Sequence, residues 1–211
     1  MKKEVVAVQI VAIIAFSSVF GGMLFYTDVY DDVLSNIVSV TCLSCLKLQP
    51  VTNVEFTFDT HNSESHPSFV LDALSKGPVL IGYRTTVCEF CDEMDEVLED
   101  IFEVSYTVDD GLIVKSKDFN GALVTYIHIN KDLVSDELKD SQEIYMEDIF
   151  ETSVPMFTMV TIGYHRGFVE PYYATAYGTL DEDNFNDRKA AVLELITDGI
   201  NLYEENKAGY N

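Results

Sequence analysis

The sequence predicts an α/β domain, because apolar runs of strand length alternate along it with stretches whose apolar residues recur at helical spacing. Hydrophobic residues make up 47% and aromatics 12% of the 211 residues, so the chain can bury a core and global disorder is excluded. Its length fits one domain with appendages. Acidic residues outnumber basic ones 36 to 13, a formal charge of −23, which argues against nucleic acid as a ligand of the folded surface.

The first element is an apolar segment. Val5 to Thr27 carries no charge, and residues 5–26 form a run of 22 residues, roughly 33 Å long as a helix and sufficient to cross a bilayer. Lys2 and Lys3 precede it and Asp28, Asp31 and Asp32 follow it. This asymmetry places the amino terminus in the cytoplasm and the remainder outside, as a single-pass protein of the cell membrane anchored through residues 5–26. A cleavable signal peptide is the rival reading, with small residues at Ser17, Ser18, Gly21 and Gly22, but the run exceeds the usual length of a signal peptide's apolar region.

Residues 28–63 read as an extension. Val33, Leu34, Ile37, Val38 and Val40 give a juxtamembrane helix its apolar stripe, and Val54 to Asp59 alternates as a strand added to the sheet. His66 to Lys76 reads as a helix ending at Gly77. Pro78 to Tyr83 is a strand and Arg84 to Val87 a connecting turn. From Cys88, Met94, Val97, Leu98, Ile101 and Phe102 recur at three- and four-residue intervals among acidic residues, which defines an amphipathic helix. Ala122 to Ile129 is a buried strand, and Ser135 opens a helix running on to Phe150 with an acidic first turn. Ser153 to Ile162 is a strand that begins at a proline; Gly163 to Gly167 turns, and Phe168 to Tyr177 returns antiparallel. Asp183 to Asn206 closes the chain as a helix.

The four cysteines fall into two pairs of identical spacing, Cys42-Leu-Ser-Cys45 and Cys88-Glu-Phe-Cys91. Two intervening residues suit a reversible disulfide or two ligands of a tetrahedral zinc. An exported protein meets an oxidising medium, which favours the disulfide. A joint zinc site needs both pairs to converge, although the 42 residues between Cys45 and Cys88 exceed the spacing of ribbon-like zinc modules. His61, His66, His128 and His165 match no metal pattern: the first two read as solvated loop residues and His128 as a hydrogen-bonded core histidine.

The succession of a strand, a CxxC at a helix start, a strand, a helix, Val154-Pro155 opening a strand, a hairpin strand and a final helix resembles the thioredoxin-like family over about residues 64–206. The resemblance implies a three-layer sandwich spanning 64–211, after an anchor at 1–27 and the extension at 28–63. It also implies a cis Pro155 beside the Cys88/Cys91 disulfide, and a Val154 whose backbone meets an extended substrate. Some features depart from the family. Val87 stands where an aromatic is usual, Glu89-Phe90 replaces Gly-Pro, Met156 replaces the common threonine, and the buried acid six positions before the first cysteine falls on Gly82.

Chemistry follows from the helix start, where unpaired N–H groups and a partial positive charge stabilise a thiolate. Cys88 is the expected nucleophile and Cys91 the resolving thiol of a thiol–disulfide oxidoreductase. Its expected partners are a disulfide-bearing protein substrate and a membrane electron-transfer partner, and no cofactor or metal is implied. The acidic neighbours Glu89, Asp92 and Glu93 oppose the dipole and point towards a reducing or isomerising potential. Cys42 and Cys45 form either a second redox pair relaying electrons or a structural disulfide. The alternative from another class is a non-catalytic thioredoxin-fold subunit of a membrane complex, with structural disulfides or a zinc site built from all four cysteines.

Overall fold

The structure is a computed structural model, and it describes residues 55–146, 154–180 and 184–210. They form a mixed α/β unit with a five-stranded sheet flanked by helices. Among them no helix is long and apolar enough to cross a membrane. The expected anchor at 5–26, the juxtamembrane helix and the Cys42/Cys45 pair lie outside the described residues.

The elements run α1 (Ser68–Leu74), β1 (Val79–Arg84), α2 (Glu89–Phe102), β2 (Leu112–Phe119), β3 (Ala122–Asn130), α3 (Asp136–Ile144), β4 (Met156–His165), β5 (Phe168–Tyr177) and α4 (Phe185–Asn206). The sheet order is β2-β3-β1-β4-β5. β1 lies at its centre, parallel to β3 with Gly82 opposite His128, and antiparallel to β4 with Tyr83 opposite Met156. A strand buried on both faces reads as a continuous apolar run, which is how Val79-Leu-Ile-Gly-Tyr83 stands in the sequence.

Alternation along the strands builds two cores. On one face Leu80, Val124, Tyr126, Phe157 and Met159 pack against Met94, Leu98 and Phe102 of α2 and Val192, Leu195 and Ile196 of α4. On the other, Val79, Ile81, Tyr83, Ile127, Ile129 and Val160 pack against Val70 and Leu74 of α1, with Leu138 and Ile144 of α3 at the margin. The sheet is therefore sandwiched between two helical layers.

Three features depart from the sequence reading, the first being that α3 ends at Ile144, short of the Phe150 expected, with residues 147–150 outside the described residues. β2 is an additional edge strand, joined to β3 through Asn120 and Gly121, whose φ of 56° and 100° are those of a tight hairpin turn. The strand expected over Val54 to Asp59 reduces to a single bridge between Thr57 and Tyr173. Its alternating aromatics serve instead as anchors: Phe56 enters the core, and Phe58 stacks on His165 and Tyr172.

Candidate active site

The site forms where β1 ends. Cys88 precedes the first residue of α2 with extended backbone (φ −155°, ψ 101°), and Cys91 lies one turn inside, its N–H donating to the Cys88 carbonyl at 3.2 Å. Their sulfurs are bonded at 1.98 Å. Cys88 is half-buried, whereas Cys91 is 1% exposed, so an incoming sulfur can approach only the first of them from solvent. This asymmetry follows from the helix: Cys91 falls on the same face as Met94, Leu98 and Phe102, which points at the sheet.

The strand register brings two of the sequence-derived segments to one end of the sheet, while Cys42 and Cys45 lie outside the described residues. β4 runs antiparallel to β1 and begins opposite Tyr83, so Pro155 arrives at the end of the sheet from which the Cys88 loop departs. The Val154–Pro155 bond is cis. Pro155 is buried and its carbonyl accepts the Gly178 N–H at 2.9 Å, while Val154 is half-buried.

Below the disulfide lies a polar cluster that periodicity alone does not disclose. Arg84, the last residue of β1 and 4% exposed, is a buried strand end and not the open turn expected of it. Its guanidinium pairs with Asp95 through Nη1 and with Asp92 through Nη2, the latter at 3.0 Å, and its Nε donates to the Thr85 carbonyl. Asp95, one helical turn past Cys91, also accepts from the Tyr106 hydroxyl at 3.0 Å; Tyr106 meets the Tyr126 hydroxyl at 3.1 Å, and Tyr126 meets His128 Nδ1 at 3.4 Å. A Cβ added at Gly82 would stand 3.1 Å from the Tyr126 hydroxyl. The place read from the sequence as lacking a buried acid thus holds a tyrosine connected through a second tyrosine to Asp95.

Burial sets the protonation of this cluster. It raises Asp95 from its ordinary 3.8 to about 6, outweighing the opposing pull of Arg84. It raises the Tyr106 and Tyr126 phenols out of the titrating range and, helped by the Arg84 charge, lowers His128 to about 4, so that His128 is neutral near neutrality. His128 is 1% exposed and its Nε2 has no hydrogen-bond partner.

A carboxylic acid with a raised folded pKa binds its proton more tightly in the native state, so its stabilising contribution is complete below 3.8 and is lost as pH rises through about 6. Asp95→Asn, whose amide oxygen can accept from Arg84 while its NH2 donates to the Tyr106 hydroxyl, is expected to remove a fall in stability on the order of 2–3 kcal/mol between about pH 4 and pH 6. Urea titrations of both proteins across that window check this, and parallel stability curves would refute it.

Two of the acidic neighbours of the disulfide are compensated in ways the sequence does not reveal. Asp92 shares Arg84 with Asp95, and Glu93 of α2 pairs with Arg188 of α4. The inference from these charges to a reducing potential loses its basis to that extent. His66 also differs from expectation: it is half-buried and its Nδ1 lies 3.1 Å from the Tyr145 hydroxyl. Among the described residues no group of three or more His, Cys, Asp or Glu side chains is arranged to hold a metal ion.

Comparison with family models, with curated proteins and with solved structures finds no match to this chain.

Proposed function

We propose that this protein is a thioredoxin-like thiol–disulfide oxidoreductase, and that Cys88 and Cys91 are its redox pair. The observation that carries the reading is the disulfide itself, with half-buried Cys88 at the mouth of a helix and buried Cys91 one turn deeper. In the reduced form, the N–H groups opening α2 and the helix dipole favour the Cys88 thiolate. That thiolate attacks one sulfur of a substrate disulfide, a mixed disulfide forms, and the other substrate sulfur leaves as a thiolate that takes a proton. Cys91 then gives up its proton and attacks the Cys88 sulfur, which releases the second substrate thiol and leaves the Cys88–Cys91 bond. An external dithiol restores the reduced pair, and the reverse sequence oxidises a substrate dithiol.

Asp95 supports this chemistry as a positioning group on the Cys91 face of α2, with a carboxyl that titrates near 6. Val154 and Pro155 form the opposite wall, where the backbone of an extended polypeptide can be received. The uncharged run at 5–26, flanked by lysines on one side and aspartates on the other, supports a domain held outside the cytoplasm at a membrane surface. Cys42 and Cys45 are proposed either to exchange electrons with this pair or to form a fixed bridge.

Reduction of insulin disulfides by the full-length protein in detergent, with limiting dithiothreitol as electron donor, tests the reading beside Cys88→Ser. The wild-type protein is expected to accelerate the reaction and the variant to fall to the uncatalysed rate. Equal rates in the two would eliminate the oxidoreductase and leave a non-catalytic subunit.

A further inference from the structure

We infer that the disulfides served by this site belong to cationic polypeptide segments that carry bulky apolar side chains beside the cystine. The inference rests on the proposed redox role of Cys88 and Cys91 and adds a substrate class to it.

Large apolar side chains stand in water beside the disulfide. Val87 and Phe90, the residues just before and two after Cys88, are 91% and 57% exposed. Two further loops at this end add Val108 and Leu133, 39% and 48% exposed. These loops are fastened to the one preceding Cys88: Asp132 accepts the Thr86 N–H at 2.8 Å, and the Asn130 amide donates to Thr86 Oγ1 and to the Val108 carbonyl. Apolar side chains left in water around a half-buried sulfur gain their burial only when a partner covers them.

Charge decides what that partner is. Asp92, whose side chain is 68% exposed, and the exposed Glu96, Asp109 and Asp132 stand on the same loops and on the first two turns of α2. The Arg84 guanidinium, buried between Asp92 and Asp95, offsets one of those two carboxylates, and Lys131 adjoins Asp132, so the negative field at this end rests chiefly on Glu96 and Asp109. Over the whole chain the formal charge is −23. A second copy of the chain and small anionic disulfides such as glutathione disulfide are both repelled by this field, whereas a polypeptide bearing lysine or arginine is steered into it. Its apolar side chains then cover Val87 and Phe90 while its cystine faces Cys88.

Three peptides with one internal cystine and a neighbouring phenylalanine, differing only in lysine, glutamine or glutamate flanks, test the inference on the full-length protein with dithiothreitol as donor. The lysine peptide is expected to exceed the glutamate peptide in kcat/KM by about tenfold at low salt, with the glutamine peptide between them. Raising salt from about 20 mM to about 500 mM should collapse most of that ratio. Glu96→Lys combined with Asp109→Lys should narrow it at low salt, and Phe90→Ser should lower kcat/KM for all three peptides. Equal turnover of the three at low salt overturns the substrate class while leaving the redox pair intact. Turnover of none overturns the redox reading and the substrate class together.

Discussion

Cys91→Ser is expected to accumulate a mixed disulfide between Cys88 and its substrate, whereas Cys88→Ser accumulates none. Cys88 is half-buried, while Cys91 is 1% exposed and lies on the core-facing side of α2. Without Cys91 the attacking step still proceeds, but no second thiolate lies one turn away to displace the adduct. Steady-state turnover should therefore fall by about three orders of magnitude or more in either variant, because nucleophile and resolver act as one unit. Alkylation followed by non-reducing electrophoresis and mass spectrometry distinguishes the two. Adducts that form equally on Cys91 in the Cys88→Ser protein would show that the order of attack is wrong.

The second large effect belongs to stability. Arg84→Met is expected to destabilise the domain by about 3–5 kcal/mol, because it leaves the mostly buried Asp95 without the guanidinium that offsets its desolvation. The loss should shrink at low pH, where Asp95 takes up a proton, its pKa being about 6 even with Arg84 in place. Pairing the change with Asp95→Leu should recover most of the lost stability, since an apolar pair of similar volume avoids the cost of burying charge. Chemical denaturation of the two variants at pH 7 measures this. A single variant as stable as the parent would mean that the cluster below the disulfide is solvated.

The elements that were legible in the sequence are those with one unambiguous face. α2 could be read from Met94, Val97, Leu98 and Ile101, all of which pack in the core. β1 could be read because burial on both sides leaves no polar residue before Arg84. β2 was hidden for the opposite reason: Leu112 and Val114 are exposed, and on the inward face Lys115 and Lys117 separate Ile113 from Phe119, so no clean apolar alternation runs along the strand. The Asn120-Gly121 pair was the signal that could have disclosed it. Of the site, the two cysteines and Val154-Pro155 could be named from the resemblance, but the polar cluster could not. Asp95 is one of seven acidic residues among the polar positions of the α2 stretch, and only the fold brings Arg84 and Tyr106 against it. Tyr126 gave no hint of its role either, because its hydroxyl fills the space left by Gly82 on a neighbouring strand.

The hairpin that adds β2 also governs how copies of this protein behave in a crowd. Among the described residues β2 hydrogen-bonds to β3 on one side only, and its other side carries a row of amide and carbonyl groups. Lys115 stands exposed on that strand, whereas the Lys117 ammonium turns back to the Ile101 carbonyl and Glu103, so Lys115 is the charge that self-pairing would crowd, a standing deterrent to ribbon growth. Lys115→Leu would remove that deterrent and extend the exposed apolar pair Leu112 and Val114, leaving the net negative charge as the remaining barrier to strand-to-strand association.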